Sequence, residues 1–170
     1  MKKDSVKKLA TAAVLTAAAL IVFVIEAQIP PLTPVPGIKL GLSNIFSLTA
    51  LLLLGPCWGF AVMAVRVVLG SLLTGQVSAM LFSLAGGIPS MLLCMLIKRW
   101  FRGNTLWALS CISAVVHNAG QTAAAVFVTG TKEILMYYPV LVISGIVTGA
   151  FTGLCAQLVI KRIGRSQWMK

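Results

Sequence analysis

Acidic residues are nearly absent from this chain. Asp4, Glu26 and Glu133 stand against fourteen Lys and Arg in 170 residues, a net charge of +11. Mg²⁺-dependent phosphate chemistry generally needs clustered carboxylates, and three scattered ones offer no cluster. Histidine is just as scarce. His117 has no Cys or carboxylate at ligand spacing, which speaks against a metal site, and no cofactor is expected. The chain lacks a G-x-x-x-x-G-K-[ST] stretch, so any ATP-driven work requires another subunit. Charge of either sign is sparse, at 10% of residues, where a soluble domain carries about 25%. With 59% hydrophobic residues, a soluble protein is excluded and an all-α membrane protein is expected.

The positive charge does not point to nucleic acid. The basic residues cluster at the ends of apolar runs and are not interleaved with aromatics, so no nucleic-acid partner is expected. The four cysteines, Cys57, Cys94, Cys111 and Cys155, show no C-x-x-C spacing and read as small, reduced packing residues. A Ser-His-acid triad can assemble in space from distant positions, but a lone His beside amides suits a ligand or packing contact better, and the chain is read as a non-enzyme.

What the chain has in abundance is apolar runs. The first follows "MKKDSVKK", which resembles the basic region of a secretory signal. It continues to Ile25 without an A-x-A-like site before Gln28, so a retained span is expected. Six spans emerge, at about 7 to 26, 40 to 54, 56 to 74, 79 to 97, 106 to 129 and 137 to 160, in one integral membrane domain covering residues 1–170. The second is short and turns tightly into the third through "LGPCWG". With the N-terminus inside, the inner side receives Lys2, Lys3, Lys7, Lys8, Lys98, Arg99, Arg102, Lys161, Arg162, Arg165 and Lys170; the outer side receives Lys39 and Lys132. Eleven against two satisfies the positive-inside rule, which places both termini in the cytoplasm.

Polar residues interrupt these runs at membrane depth. Arg66 lies near the middle of the third span, where an ionisable group faces the bundle interior or a watery cavity. In the fifth span, "HNAGQ" puts His117, Asn118 and Gln121 on one helical face. That face is expected to point inward, either as an interhelical hydrogen-bond cluster or as part of a solute site. Glu26 closes the first span and Lys39 opens the second. Between them, "AQIPPLTPVPGIK" carries four prolines, which preclude a helix and suit a lid or a stiff connector. Gly145, Gly149 and Gly153, and likewise Ser83, Gly87 and Ser90, form small-residue stripes that let helices approach closely. The first span carries many alanines, among them Ala13 and Ala17, a face able to pack within the chain or against a partner.

The motifs "PGIKLGLSNI" (36 to 45), "RVVLGSLLTG" (66 to 75), "FSLAGGIPS" (82 to 90) and "HNAGQ", in this order, resemble a bacterial family, the Gx transporter or heptaprenyl diphosphate synthase component I family, over about residues 8 to 160. That family in turn looks like the substrate-binding S components of energy-coupling-factor (ECF) transporters. The resemblance implies an S-component-like bundle in the bacterial cytoplasmic membrane, an outward-opening solute site and a first-to-second-helix loop that closes it. It also implies docking of a coupling subunit and its ATPases through the A-x-x-x-A spacing of Ala13 and Ala17. The synthase name fits the composition poorly, because prenyl diphosphate synthases hold Mg²⁺ through aspartate-rich motifs and this chain has one aspartate, Asp4.

The resulting expectation is a specificity subunit that takes up a small, anionic solute. Arg66 and Lys39 would supply positive charge, Glu26 would sit beside them, and His117, Asn118 and Gln121 would orient polar groups. The alternative is a non-catalytic accessory subunit of isoprenoid diphosphate synthesis, in which the same cations face a lipid diphosphate. In a purely structural subunit, the His117 face would only join helices.

Overall fold

The computed structural model describes residues 2–29, 41–101 and 103–163. Lys39, Arg102, Arg165, Lys170 and most of the proline-rich connection lie outside the described residues. Six α-helices follow one another: α1 (Lys2–Gln28), α2 (Asn44–Leu53), α3 (Pro56–Thr74), α4 (Val77–Ile97), α5 (Leu106–Thr129) and α6 (Tyr138–Ile163). Short 3₁₀ turns at Lys98–Trp100, Gly103–Thr105 and Lys132–Tyr137 complete the path. No strand occurs among the described residues. Long apolar runs can satisfy their own backbone only as helices inside a bilayer. The runs end where the sequence removes that option: Pro56 starts α3, and Gly75 and Gly130, at φ 67° and 69°, terminate α3 and α5 in the left-handed conformation that glycine adopts without strain.

Five of these helices are long and apolar enough to cross a membrane. The exception is α2. Among the described residues of the expected span 40 to 54, the helix runs from Asn44 to Leu53, about 15 Å of rise against a hydrocarbon core of about 30 Å. The helix therefore covers roughly half the bilayer by itself.

Packing gives the helix directions. Ala12 of α1 clusters with Ala50 of α2 and Val62 of α3, and Phe23 of α1 lies against Gly70 of α3, so α1 and α3 run parallel. Between them α2 runs the opposite way, with Leu51 against Gly59 of α3. A larger apolar cluster joins the C-terminal half of α2 to Met91 and Cys94 of α4, Leu106 and Leu109 of α5 and Ile160 of α6. The start of α1 and the end of α6 thus lie at the same end of the bundle as the C-terminal end of α2.

Glycines set the closest contacts. A Cβ at Gly149 would stand 2.7 Å from Cys111 Cα, and one at Gly153 2.5 Å from Trp107 Cα, so the α6 stripe seats α5 at backbone distance. Pro89, inside α4, has no N–H to give the Ala85 carbonyl. That carbonyl faces Gly120 of α5, whose missing side chain allows the approach.

The cysteines divide more than their composition suggests. Cys94 is buried, Cys111 and Cys155 are half-buried, and Cys57, beside the α2–α3 turn, is exposed. In a variant with Cys111 and Cys155 replaced by serine, a membrane-impermeant maleimide is expected to label Cys57 in inverted vesicles and not in intact spheroplasts. Labelling from the outside would overturn the charge-derived orientation.

Candidate functional site

Beside its apolar core the bundle buries an unusual number of polar side chains, while its outer surface is apolar. The buried face of α5 consists largely of Ser110, Ser113, His117, Asn118, Gln121 and Thr122, whereas Phe127 and Val128 of the same helix are exposed. This inverts the pattern of a soluble helix, as expected where lipid is the outer solvent.

At the centre is Arg66, 2% exposed and among the largest fully buried side chains. Its three guanidinium nitrogens all find partners at the start of α2. Nε donates to Ser47 Oγ at 3.2 Å, Nη1 to Ser43 Oγ, and Nη2 to Asn44 Oδ1 at 3.3 Å. Every one of these acceptors is neutral. Ser43, Asn44 and Ser47 lie at i, i+1 and i+4, a spacing that turns them to one side of the first helical turn. The stretch "SNIFS" is a polar interruption of the second apolar run, and only the α2–α3 hairpin brings it to Arg66 as the arginine's ligands.

Glu26 is brought to the same segment from α1 and is also buried. Its Oε1 accepts the backbone N–H groups of Gly41 and Leu42, the latter at 3.3 Å, so a carboxylate from another helix caps the α2 N-terminus. Ser43 is thereby free of capping duty and makes no side-chain cap. Oε2 has no hydrogen-bond partner among the described residues. No ion pair joins Glu26 to Arg66 there: the acid holds residues 41 and 42 by their backbone, and the base holds residues 43, 44 and 47 by their side chains.

The three residues of "HNAGQ" are buried as the helical face requires, but they serve different neighbours. Asn118 turns to α6, where Nδ2 donates to the Leu141 carbonyl at 2.7 Å, a contact that joins two helices. His117 turns to α2 and α4. Its Cδ2 would lie 3.4 Å from a Cβ at Gly41 and its Nδ1 3.0 Å from one at Gly86. Gly41 sits at φ 76°, so a side chain there would be strained as well as crowded. One turn on, Gln121 is fully buried, and both ends of its amide lack partners among the described residues.

Between α2, α5 and α6 lies a small cavity of about 10 Å³, enough for about one water-sized group. Asn44 and His117 line it together with the hydroxyls of Ser110, Thr148 and Thr152, none of which the sequence motifs singled out. Of the other expected site residues, Lys39 lies outside the described residues, and Ala13 and Ala17 are both exposed on α1, while the neighbouring Ala12 and Ala19 are buried. Among the described residues no group of three His, Cys, Asp or Glu side chains comes together at metal-binding range.

A helical bundle with an apolar outer surface and a buried, arginine-centred polar cluster is a multi-pass membrane protein. A family model for heptaprenyl diphosphate synthase component I matches residues 15–159, and the chain belongs to that family. The match runs from the first half of α1 almost to the end of α6 and includes every residue of the centre just described. Comparisons with curated proteins and with solved structures found no match.

Proposed function

We propose that this protein is a non-catalytic membrane subunit that binds an anionic ligand at Arg66. The observation that carries the reading is a buried guanidinium whose hydrogen-bond partners among the described residues, Ser43, Asn44 and Ser47, are all neutral. Burying a charge is costly unless it is paired, and Ser43, Asn44 and Ser47 satisfy the geometry of the fork without balancing its charge. Glu26 interacts with Arg66 through space, but its Oε1 is held by the backbone of Gly41 and Leu42 and the two form no ion pair among the described residues. A carboxylate or phosphate on Arg66 would supply the missing charge with bidentate geometry.

Family membership favours the role of an accessory subunit in isoprenoid diphosphate synthesis, with a diphosphate as the anion and a separate synthase subunit as partner. The scarcity and separation of the carboxylates support a non-catalytic part. A second reading, the specificity subunit of an uptake transporter in the bacterial cytoplasmic membrane, is favoured by one observation. Ala13 and Ala17 lie on the exposed face of α1, where an ECF-type coupling subunit allied to ATPases could pack. In either role the chain would cross the membrane six times with both termini in the cytoplasm; the parallel course of α1 and α3 supports this. Lys39, Asn118 and Gln121 belong to the proposed site as supporting polar groups.

Mass spectrometry of small molecules released from the purified protein tests the proposal. A prenyl diphosphate is expected in the accessory role and a water-soluble anion in the uptake role. Wild-type protein that binds neither, even when each is supplied, would remove the anion reading.

A further inference from the structure

The cavity beside α2 adds a second set of groups to the Arg66 centre, and Asn44 belongs to both. Its Oδ1 accepts from the guanidinium at 3.3 Å, and the residue lines the cavity opposite His117 and the α5–α6 hydroxyls. Those hydroxyls have already placed their protons within the protein. Thr148 Oγ1 donates to the Ser144 carbonyl at 2.8 Å, Thr152 Oγ1 to the Gly149 carbonyl at 3.2 Å, and Ser110 shares a 3.1 Å hydrogen bond with Thr152. Each of these hydroxyl oxygens keeps lone pairs able to accept from a group in the cavity, beside the amide and imidazole of Asn44 and His117. The α5–α6 hydroxyl side of the wall therefore suits a ligand that brings hydrogen-bond donors of its own.

We propose that Arg66 and this cavity are two halves of one ligand site, and that the ligand is a compact anion carrying hydroxyl or N–H donors. Its anionic group takes the guanidinium from Asn44, and its donors face Thr148, Thr152, Ser110 and His117. At about 10 Å³ the cavity holds only a water-sized group, so binding moves the first turn of α2. The bond that yields is the Asn44 contact, at the long end of the hydrogen-bond range. Gly41, with no side chain, lets this turn approach His117 closely. The inference rests on the anion reading of Arg66 but not on which of the two roles the protein plays.

The test is calorimetric titration of the full-length protein in detergent with glycerol 3-phosphate, with propyl phosphate, which has the same anionic group and no hydroxyls, and with geranyl diphosphate. Glycerol 3-phosphate is expected to bind about tenfold or more tighter than propyl phosphate, as two added hydrogen bonds predict. In the double variant Thr148→Val, Thr152→Val that ratio should fall towards one with propyl phosphate affinity retained. Asn44→Ala should tighten both phosphates by removing the competitor for Arg66. Equal wild-type affinities for the two phosphates would overturn the proposal and leave the anion reading standing. So would binding of geranyl diphosphate alone, lost in Arg66→Gln. Binding of all probes unchanged in Arg66→Gln, or no binding of any at millimolar concentration, would overturn both.

Discussion

Replacing Arg66 with alanine is expected to cost about 3–5 kcal/mol of stability, the range seen when one member of a buried charged network is removed, and to abolish every effect of anions on the protein. The two effects share a cause. The guanidinium is the common partner of Ser43, Asn44 and Ser47, so its loss leaves three buried acceptors without a donor and frees the start of α2 from α3. It also deprives the buried acid Glu26 of its interaction with the Arg66 charge. Arg66→Lys should be intermediate, because an ammonium keeps the charge but cannot reach three acceptors with the arginine fork. Chemical unfolding in mixed micelles, with and without added anion, measures both effects. A loss below about 1 kcal/mol, less than one charge-assisted hydrogen bond, would mean that the guanidinium does not hold α2 in place.

Replacing Gly149 with leucine should severely damage the seam between α5 and α6. The new Cβ would meet Cys111 Cα at 2.7 Å and the Ser110 carbonyl oxygen at 3.0 Å, backbone atoms that cannot rotate aside, so α5 and α6 must separate. Overpacking of this kind costs about 3 kcal/mol, the upper end of the usual range. Separation would also break the Ser110–Thr152 and Asn118–Leu141 contacts, and with them one wall of the cavity. The comparison is Gly75→Ala. Gly75 has a left-handed backbone but open space around its Cβ position, so only the conformational cost of about 1–2 kcal/mol applies. Melting temperature and monodisperse yield in detergent should rank parent, Gly75→Ala and Gly149→Leu in that order. A Gly149→Leu variant as stable as Gly75→Ala would mean that the α5–α6 seam is looser than described.

Much of this protein was legible from local pattern. The third and fifth helices begin and end where the apolar runs meet Pro56, Gly75, Thr105 and Gly130, because a backbone in lipid has no alternative to the helix until a residue type ends it. Burial of Arg66, His117, Asn118 and Gln121 followed from the same solvent argument, since a polar group at membrane depth turns away from lipid. The short start of α2 was not legible. The sequence of Leu40 to Leu42 is nearly as apolar as the helix that follows, yet the helix begins at Asn44, because Gly41 sits at φ 76°, outside helical backbone, where Glu26 from α1 holds its N–H.

The division of "HNAGQ" was equally hidden. Periodicity places its three polar residues on one face, but a face is wide enough to touch two neighbours, and the positions of α4 and α6 decide which side chain meets which. Sequence by itself determined the class of protein, its helices and which polar residues must be inside, because lipid acts on each segment separately. Only the tertiary structure decided that Arg66 is served by Ser43, Asn44 and Ser47, that Glu26 caps α2, and that Asn118 joins helices while His117 borders the cavity. Those choices depend on distances between segments that no local pattern encodes.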